Sequence, residues 1–435
     1  MTKRPLTSLR GKIHVKHGFP FKGEHFKSSG RYVVLTPGNF YEEGGFKRNA
    51  SKDKCYSESF PREYLLKQRD ILVAMTEQTD GLLGSMAKIP ENDQFLHNQR
   101  LGLVTALTSD VDIDFVYHLF KTKWVRKQIR RSASGSKVKH TSPERIYDVQ
   151  VQLPSLSEQK AIGKLLSAID SKIEINRRVN EELQAMAKLL YDYWFVQFDF
   201  PISASQAGAM GKPKLNGKPY RTSGGKMVYN EVLKREIPEA WASGSLEQLG
   251  AIVGGSTPST ERAEYFCKRG TPWITPKDLS ENTGNRFIAH GALDVTNEGF
   301  QSASLQLLPT GSVLMSSRAP IGYLAVSRNP VTTNQGFKSF APNKGYSSDY
   351  IYFTLQHFMK LIKANASGST FKEISGGTLK TVKIHLPPVD LVSDFTARVS
   401  CLSSQQSTLE LQNEHLANLH DWLLPMLMNG QVTVA

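Results

Sequence analysis

The sequence predicts a mixed α/β fold built twice: two α+β lobes in tandem, each running into a long coiled-coil helix, as a pseudo-twofold repeat. Three observations predict it. Ala133-Ser134-Gly135-Ser136 returns as Ala366-Ser367-Gly368-Ser369, 233 residues later, and Val151-Gln152-Leu153-Pro154 returns as Ile384-His385-Leu386-Pro387 at the same offset. Short apolar runs broken by turn residues fill both copies. Each copy then enters a stretch of sustained heptads.

The first lobe is assigned to residues 1–153. Tyr32 to Leu35, Asp70 to Met75 and Asp148 to Leu153 read as strands. Thr36-Pro37-Gly38-Asn39 and Thr79-Asp80-Gly81 read as turns. Asp114 to Arg131 has the spacing of one helix, with Phe115, Leu119, Trp124 and Ile129 on one side. Residues 154–198 form the first long helix and 199–240 a connector rich in Gly, Pro, Ser and Lys, expected to lie on the surface. The second lobe, 241–387, repeats the plan: Pro272 to Pro276 answers the strand and turn at 32–37, Gly311 to Ser316 the strand at 70–75, and Ser348 to Lys363 the helix. Residues 388–435 form the second long helix.

Heptads define both long helices. With position a at 162, the a residues are Ile162, Ile169, Asn176, Leu183 and Leu190, and the d residues Leu166, Ile173, Asn180, Ala187 and Trp194. Adding 233 gives Phe395, Leu402, Leu409, Leu416 and Leu423 at a, with Val399, Gln406, Asn413, His420 and Leu427 at d. The first helix, if it runs from 156 to 195, is roughly 60 Å long. The second should end or kink near Pro425. Asn176, Asn180 and Asn413 fall on the apolar seam, where an amide can fix register or lie solvated at the seam's edge.

The charge of +14 is segregated. Residues 1–155 hold 26 Lys/Arg against 16 Asp/Glu, and residues 200–388 hold 21 against 12, while the two long helical stretches are net acidic. Two basic lobes suit one polyanion that spans both. No run of 18 apolar residues is present, so no transmembrane helix is expected. Met1-Thr2-Lys3-Arg4-Pro5 leads into no apolar stretch, so no signal peptide is expected. Cys55, Cys267 and Cys401 are odd in number and far apart. They read as reduced thiols of a cytoplasmic protein.

No catalytic constellation is seen. Gly225-Lys226 lacks the first glycine and the Ser/Thr of a phosphate-binding loop. Asn329-Pro330-Val331 lacks the second proline and the aromatic of an amino-methyltransferase motif. His14 with His17, and His415 with His420, have no Cys or acidic cluster beside them in sequence, so they read as exposed histidines and no metal site is expected.

Nucleic-acid signals are stronger. Lys121, Lys123, Arg126, Lys127, Arg130 and Arg131 crowd one helical segment, and Ser134-Gly135-Ser136-Lys137-Val138-Lys139 follows at once. A small hydroxyl-bearing loop with lysines can approach a phosphate closely. Its repeat is Ser367-Gly368-Ser369-Thr370-Phe371-Lys372. The expected DNA contacts are Lys127, Arg130, Arg131, Ser134, Gly135, Ser136, Lys137 and Lys139 in the first lobe, and Gly368, Ser369, Thr370 and Lys372 in the second. Asn98, Gln99, Arg318, Asn334 and Gln335 have side chains able to read base edges, although Asn-Gln in both lobes equally suits a structural turn.

Several stretches resemble the specificity subunit of type I restriction-modification enzymes. They are Leu153-Pro154-Ser155-Leu156-Ser157-Glu158-Gln159-Lys160-Ala161-Ile162, Phe198-Asp199-Phe200-Pro201 with Gly217 to Met227, Arg235 to Trp241 with Gly254-Gly255-Ser256-Thr257-Pro258-Ser259, and Trp273 to Leu279. The likeness is looser in the first lobe, where Gly18-Phe19-Pro20-Phe21 replaces a Gly-Gly-Thr-Pro type.

The resemblance implies two target-recognition domains, each reading half of a bipartite site in double-stranded DNA, on antiparallel helices that set the spacing. Half-sites about one DNA turn apart, roughly 34 Å, would suit helices this long. It implies two methyltransferase (modification) subunits bringing S-adenosylmethionine, with two motor-nuclease (restriction) subunits bringing ATP and Mg in a restriction complex. The chain itself would bind no cofactor and catalyse nothing. Two other readings fit the residues alone: a recognition module of a different phage-defence system, and a coiled-coil scaffold whose basic lobes bind acidic proteins.

Overall fold

A computed structural model describes residues 5–48, 52–78, 81–318, 320–367 and 372–434. The chain divides into two compact units, Met1–Ile173 with Glu414–Ala435, and Glu174–Asn413. The division cuts both long helices, Leu156–Tyr191 and Val389–Met428, so each unit owns one lobe and a segment of both helices.

Within the first unit a four-stranded sheet has the order Ile13–His17, Leu101–Ala106, Ile71–Ala74, Met86–Lys88. A second sheet has the order Phe26–Lys27, Lys54–Tyr56, Tyr32–Val34, Phe95–Leu96, the last pair parallel. Leu6–Ser8 pairs with Gln150–Gln152 and closes the lobe. Ile71 to Ala74 are all buried, as expected of a central strand covered on both faces.

The second unit repeats this topology. Its larger sheet has the order Ala251–Gly254, Lys338–Ala341, Val313–Met315, Leu324–Ser327, with Phe287–Ile288 added at the edge. Its smaller sheet has the order Phe266–Cys267, Leu293–Val295, Thr271–Ile274, Thr332–Thr333. Ala242–Ser245 pairs with Lys383–Leu386. The duplication seen in a few tetrapeptides therefore extends to the strand order of both sheets.

Two expectations are corrected. The helix expected over 114–131 is two helices, Ile113–Leu119 and Lys123–Ser132, because Thr122 caps a fresh start by accepting the Val125 N–H. The break turns Trp124 outward, 55% exposed, while Phe115, Leu119 and Ile129 stay in the core. The stretch 199–240 is no surface connector. Phe200, Ile202, Ala207, Tyr220 and Ile237 are buried in the second unit's main core, where Phe200 stacks on Tyr220 with centroids 4.6 Å apart. Its hairpin, Met227–Asn230 with Arg235–Pro238, delivers Ile237 to that core. The second long helix passes through Pro425 and ends three residues later at Met428, near the end expected.

The heptad seam is buried in both units. In the first, Ile162 and Leu166 pack in one core with Leu424, Leu427 and Met428. In the second, Asn176 lies against Gln412 and Asn413, Gln184 against Gln406, and Tyr191 against Phe395. Rising numbers on one helix meet falling numbers on the other, so the segments run antiparallel. Asn176 is 1% exposed and donates to Gln412 at 2.8 Å and Asn413 at 2.9 Å. Asn180 is also buried, and its Oδ1 has no hydrogen-bond partner among the described residues.

The start of the first long helix explains one family-like stretch. Ser155 and Glu158 form a reciprocal cap, with Ser155 N–H to Glu158 at 3.1 Å and Glu158 N–H to Ser155 Oγ at 3.4 Å. Buried Gln159 ties the helix to the lobe, accepting from Asp112 N–H at 2.9 Å and donating to the carbonyls of Asp110 and Pro154.

Candidate nucleic-acid interface

In each lobe three loops meet at the C-terminal end of the central strand. In the first, Met75 N–H donates to Arg100 O and Thr141 N–H donates to Met75 O, at 3.0 and 2.9 Å. These bonds set the 98–100 turn and the 134–140 loop side by side. Phe19 N–H donates to His97 O and Gln99 N–H to Phe19 O, which adds the 18–21 turn. The second lobe repeats this: Ser317 N–H donates to Gly336 O, Ile374 N–H to Ser317 O, and Ser256 N–H to Thr333 O.

The Ser-Gly-Ser loops close alike. Ser134 and His140 exchange two backbone hydrogen bonds, 3.0 and 2.8 Å, and Ser367 and Glu373 exchange two of the same lengths. Gly135 adopts φ +97°, and a Cβ there would lie 2.1 Å from Val138 O. Glycine is required both by the backbone angle and by this approach. Ser134 Oγ accepts from Arg145 at 2.8 Å, and Lys139–His140 pairs with Thr76–Glu77. Ser136 and Lys137 stay exposed at the tip and Lys139 is half-buried. Lys372 is exposed, whereas Gly368, Ser369 and Thr370 lie outside the described residues. Arg318, half-buried, bridges to Glu373 through its backbone.

The basic helix Lys123–Ser132 is divided by its own periodicity. Arg126 turns inward, bonding the carbonyls of Glu42 and Gly81, and burial lowers its guanidinium to about 10. Arg130 reaches the buried carboxylate of Glu77 at 3.3 Å. Glu77 also accepts from the Leu83 N–H at 2.8 Å. Lys127 and Arg131 face solvent. The cationic surface of this helix is thus smaller than its composition suggests.

The Asn-Gln pairs serve as turns. Asn98, 6% exposed, accepts the Arg100 N–H at 3.0 Å through Oδ1, and Asn334 accepts the Gly336 N–H at 2.9 Å. A glycine sits against each: a Cβ on Gly18 would lie 2.2 Å from Asn98 O, and one on Gly255 would lie 2.0 Å from Asn334 O. Gln99 and Gln335 remain exposed beside them, with Thr257 donating to Gln335 Oε1. The Gly254–Ser259 loop is held by Trp273 Nε1–H on Ser256 O at 3.1 Å. His97, at the root of the first turn, is fully buried with Nε2 2.9 Å from Leu101 O, and burial lowers it to about 4.

A residue set missed in the sequence ties each lobe to its helices. In the first unit Lys88 contacts Asp114 at 2.6 Å and Ser167 at 2.9 Å, with its ammonium over the Tyr117 ring. In the second, Arg286 contacts Asp349 at 2.5 Å and Ser403 at 3.1 Å, over the Tyr352 ring. Asp114 and Tyr117 recur as Asp349 and Tyr352 at nearly the repeat offset, and each cation also meets a serine of its unit's long helices, Ser167 or Ser403. That recurrence was the available signal. The second clamp is extended: buried Glu410 accepts the Arg286 and Phe287 N–H groups at 2.9 and 3.0 Å and Arg328 at 3.0 Å. Among the described residues, no helix is long and apolar enough to cross a membrane.

The sequence and the fold have relatives. The sequence profile of the type I restriction modification DNA specificity domain matches residues 9–185 and 238–411. The MjaIX specificity subunit of Methanocaldococcus jannaschii is 38% identical over 186 residues, 42% of this chain and 43% of that protein. The HindI specificity subunit of Haemophilus influenzae is 25% identical over 348 residues, covering 70% of this chain and 74% of its own. The crystal structure of a type I restriction-modification S subunit from M. genitalium shares the fold, with a TM-score of 0.60 at 14% identity over 98% of this chain and 99% of that one. With matches to both of its lobes, the chain belongs to the type I restriction-modification DNA specificity family.

Proposed function

We propose that this chain is the DNA-recognition subunit of a type I restriction-modification assembly. Each lobe reads one half of a bipartite site in double-stranded DNA, and the paired helices set the spacing and dock two methyltransferase subunits. Those subunits carry S-adenosylmethionine and perform the methylation; two restriction subunits bring ATP and Mg when the complex cleaves. The recognition chain performs no chemistry.

One observation carries the reading: the same three-loop cluster stands at the end of the same strand in two lobes, and both lobes are basic. Duplicated scaffolds with divergent loop tips suit two different half-sites read by one architecture. In this reading Lys127, Arg131, Lys137, Lys139 and Lys372 meet phosphates. In the same reading Gln99, Gln335 and Arg318 contact base edges, and Asn98 and Asn334 hold the turns that carry the glutamines. Ser134, Ser136 and the backbone of Gly135 supply hydroxyl and amide donors, as do Gly368, Ser369 and Thr370 in the second lobe.

The test replaces residues 1–150 by the first lobe of another family member and maps methylated adenines across a host genome. One half of the recognised site should change and the other should stay. A change in both halves, or in neither, refutes independent reading by the lobes. Lys137→Ala with Lys139→Ala should weaken binding to all sequences alike and flatten the salt dependence by about two phosphate contacts.

A further inference from the structure

We propose that His118, Asp170 and His420 form a binding site for one divalent transition-metal ion of the zinc class. The three side chains come from three elements of the first unit: the lobe helix Ile113–Leu119, the first long helix and the far end of the second. One ligand atom from each lies within 4.8 Å of the other two. Asp170 Oδ1 is 3.7 Å from His420 Nε2, and Oδ2 is 4.0 Å from His118 Nδ1. Zinc ligands stand about 2.0–2.2 Å from the ion. The three atoms would draw together by roughly an ångström, within reach of rotamer adjustment.

The imidazoles are arranged as ligands. His118 is fully buried and the His420 side chain is 10% exposed. His118 Nδ1 and His420 Nε2, the two nitrogens that face Asp170, have no hydrogen-bond partner among the described residues. The other nitrogen of each ring is engaged: His118 Nε2 lies 3.0 Å from Ser167 Oγ, and His420 Nδ1 lies 3.4 Å from Asp421 Oδ1. A metal-binding histidine characteristically gives its second N–H to such an oxygen, which leaves the first nitrogen as a lone pair.

Lys121 contacts Asp170 Oδ2 at 2.6 Å. An ion bound through Oδ1 leaves that contact in place, as hydrogen-bonded carboxylate ligands generally have. The nearby ammonium opposes the ion, so affinity should be moderate. The repeat argues for one site only. The positions matching His118, Asp170 and His420 are Phe353, Ser403 and Ala187, and Arg286 lies over the Phe353 ring and bonds Ser403. A fixed guanidinium stands there in place of a ligand set. In the first unit the ion would staple the end of the second long helix to the first and to the lobe.

The test titrates Co2+ into the full chain, stripped of metal, and reads visible absorption. The expected result is the strong bands of a four-coordinate Co2+ at one equivalent, erased by Zn2+, with Zn2+ raising the unfolding temperature. Asp170→Asn and His420→Gln should each weaken uptake at least about a hundredfold, beyond the 10–100-fold typical of outer-shell losses. No Co2+ bands in the wild-type chain would overturn the proposal, whatever the variants do. Bands with thiolate charge transfer, or bands unchanged in a folded Asp170→Asn chain, would place the ion elsewhere and overturn it too.

Discussion

Glu410→Ala should unfold the second unit far more readily than its single lost carboxylate suggests. Glu410 is 4% exposed, and its oxygens accept two backbone N–H groups and the Arg328 guanidinium. Burial pushes its pKa upward against those bonds, the mark of a desolvated carboxylate. Truncation removes the acceptor of two buried N–H groups at about 1–3 kcal/mol each and takes one partner from Arg328. Breaking a buried ionic contact costs about 3–5 kcal/mol, so about 4 kcal/mol is expected. At a urea slope of about 2–3 kcal/mol/M the midpoint falls by about 1.5 M. Tryptophan emission suits the measurement because Trp194, Trp241 and Trp273 are buried in the second unit, whereas Trp124 and Trp422 are more than half exposed. Glu410→Gln keeps one acceptor and should lose about half as much. A loss below about 1 kcal/mol in the alanine variant would class the contact with surface ion pairs and refute the argument that it anchors the lobe.

His97 sets an acid limit on the first lobe. Its folded pKa, about 4, lies below the ordinary 6.5, so the unfolded chain binds the proton more readily. Its stabilising contribution is full above pH 6.5 and is lost as pH falls toward 4, about 3 kcal/mol in all; His97→Gln should flatten the pH dependence of urea midpoints in that window, and an unchanged slope contradicts this. Gly135→Ala, placed at φ +97° with its Cβ 2.1 Å from Val138 O, should cost about 1–3 kcal/mol locally and speed tryptic cleavage after Lys137 and Lys139; equal cleavage rates would show that the loop tolerates a side chain. Asn176→Leu should raise thermal stability by about 1 kcal/mol, since an apolar side chain generally outperforms a buried polar pair while Gln412 can return to water. A fall of that size would mean the amide contacts stabilise outright.

The repeat and the heptads made the architecture legible. Recurrence at one offset implies one fold used twice, and apolar residues on alternating three- and four-residue steps can be buried only along a helical seam. Ile162, Leu166, Ala187 and Phe395 are buried where the heptads put them. The loop clusters were half legible. Ser134-Gly135-Ser136 stood out because it recurs in the second lobe and because a small hydroxyl-bearing loop flanked by lysines can approach a phosphate. The Asn-Gln pairs stood out too, but a short amide chain that bonds two residues ahead looks the same in sequence as one that reads a base.

The features legible along the chain are periodic or local: duplication, seam, charge segregation. What only tertiary structure decided is which side chains from distant segments share a neighbourhood. Arg126 and Arg130 look like their exposed neighbours Lys127 and Arg131 until the carbonyls of Glu42 and Gly81 and the carboxylate of Glu77 are laid beside the helix. Phe200 and Tyr220, set among glycines and prolines, looked like connector until both stacked in the core. His420, 302 residues from His118, looked solvated because no Cys or acidic cluster lies beside it in the chain, yet it is buried. Composition and spacing act along the chain, whereas burial and coordination depend on distance through space, and only packing fixes that.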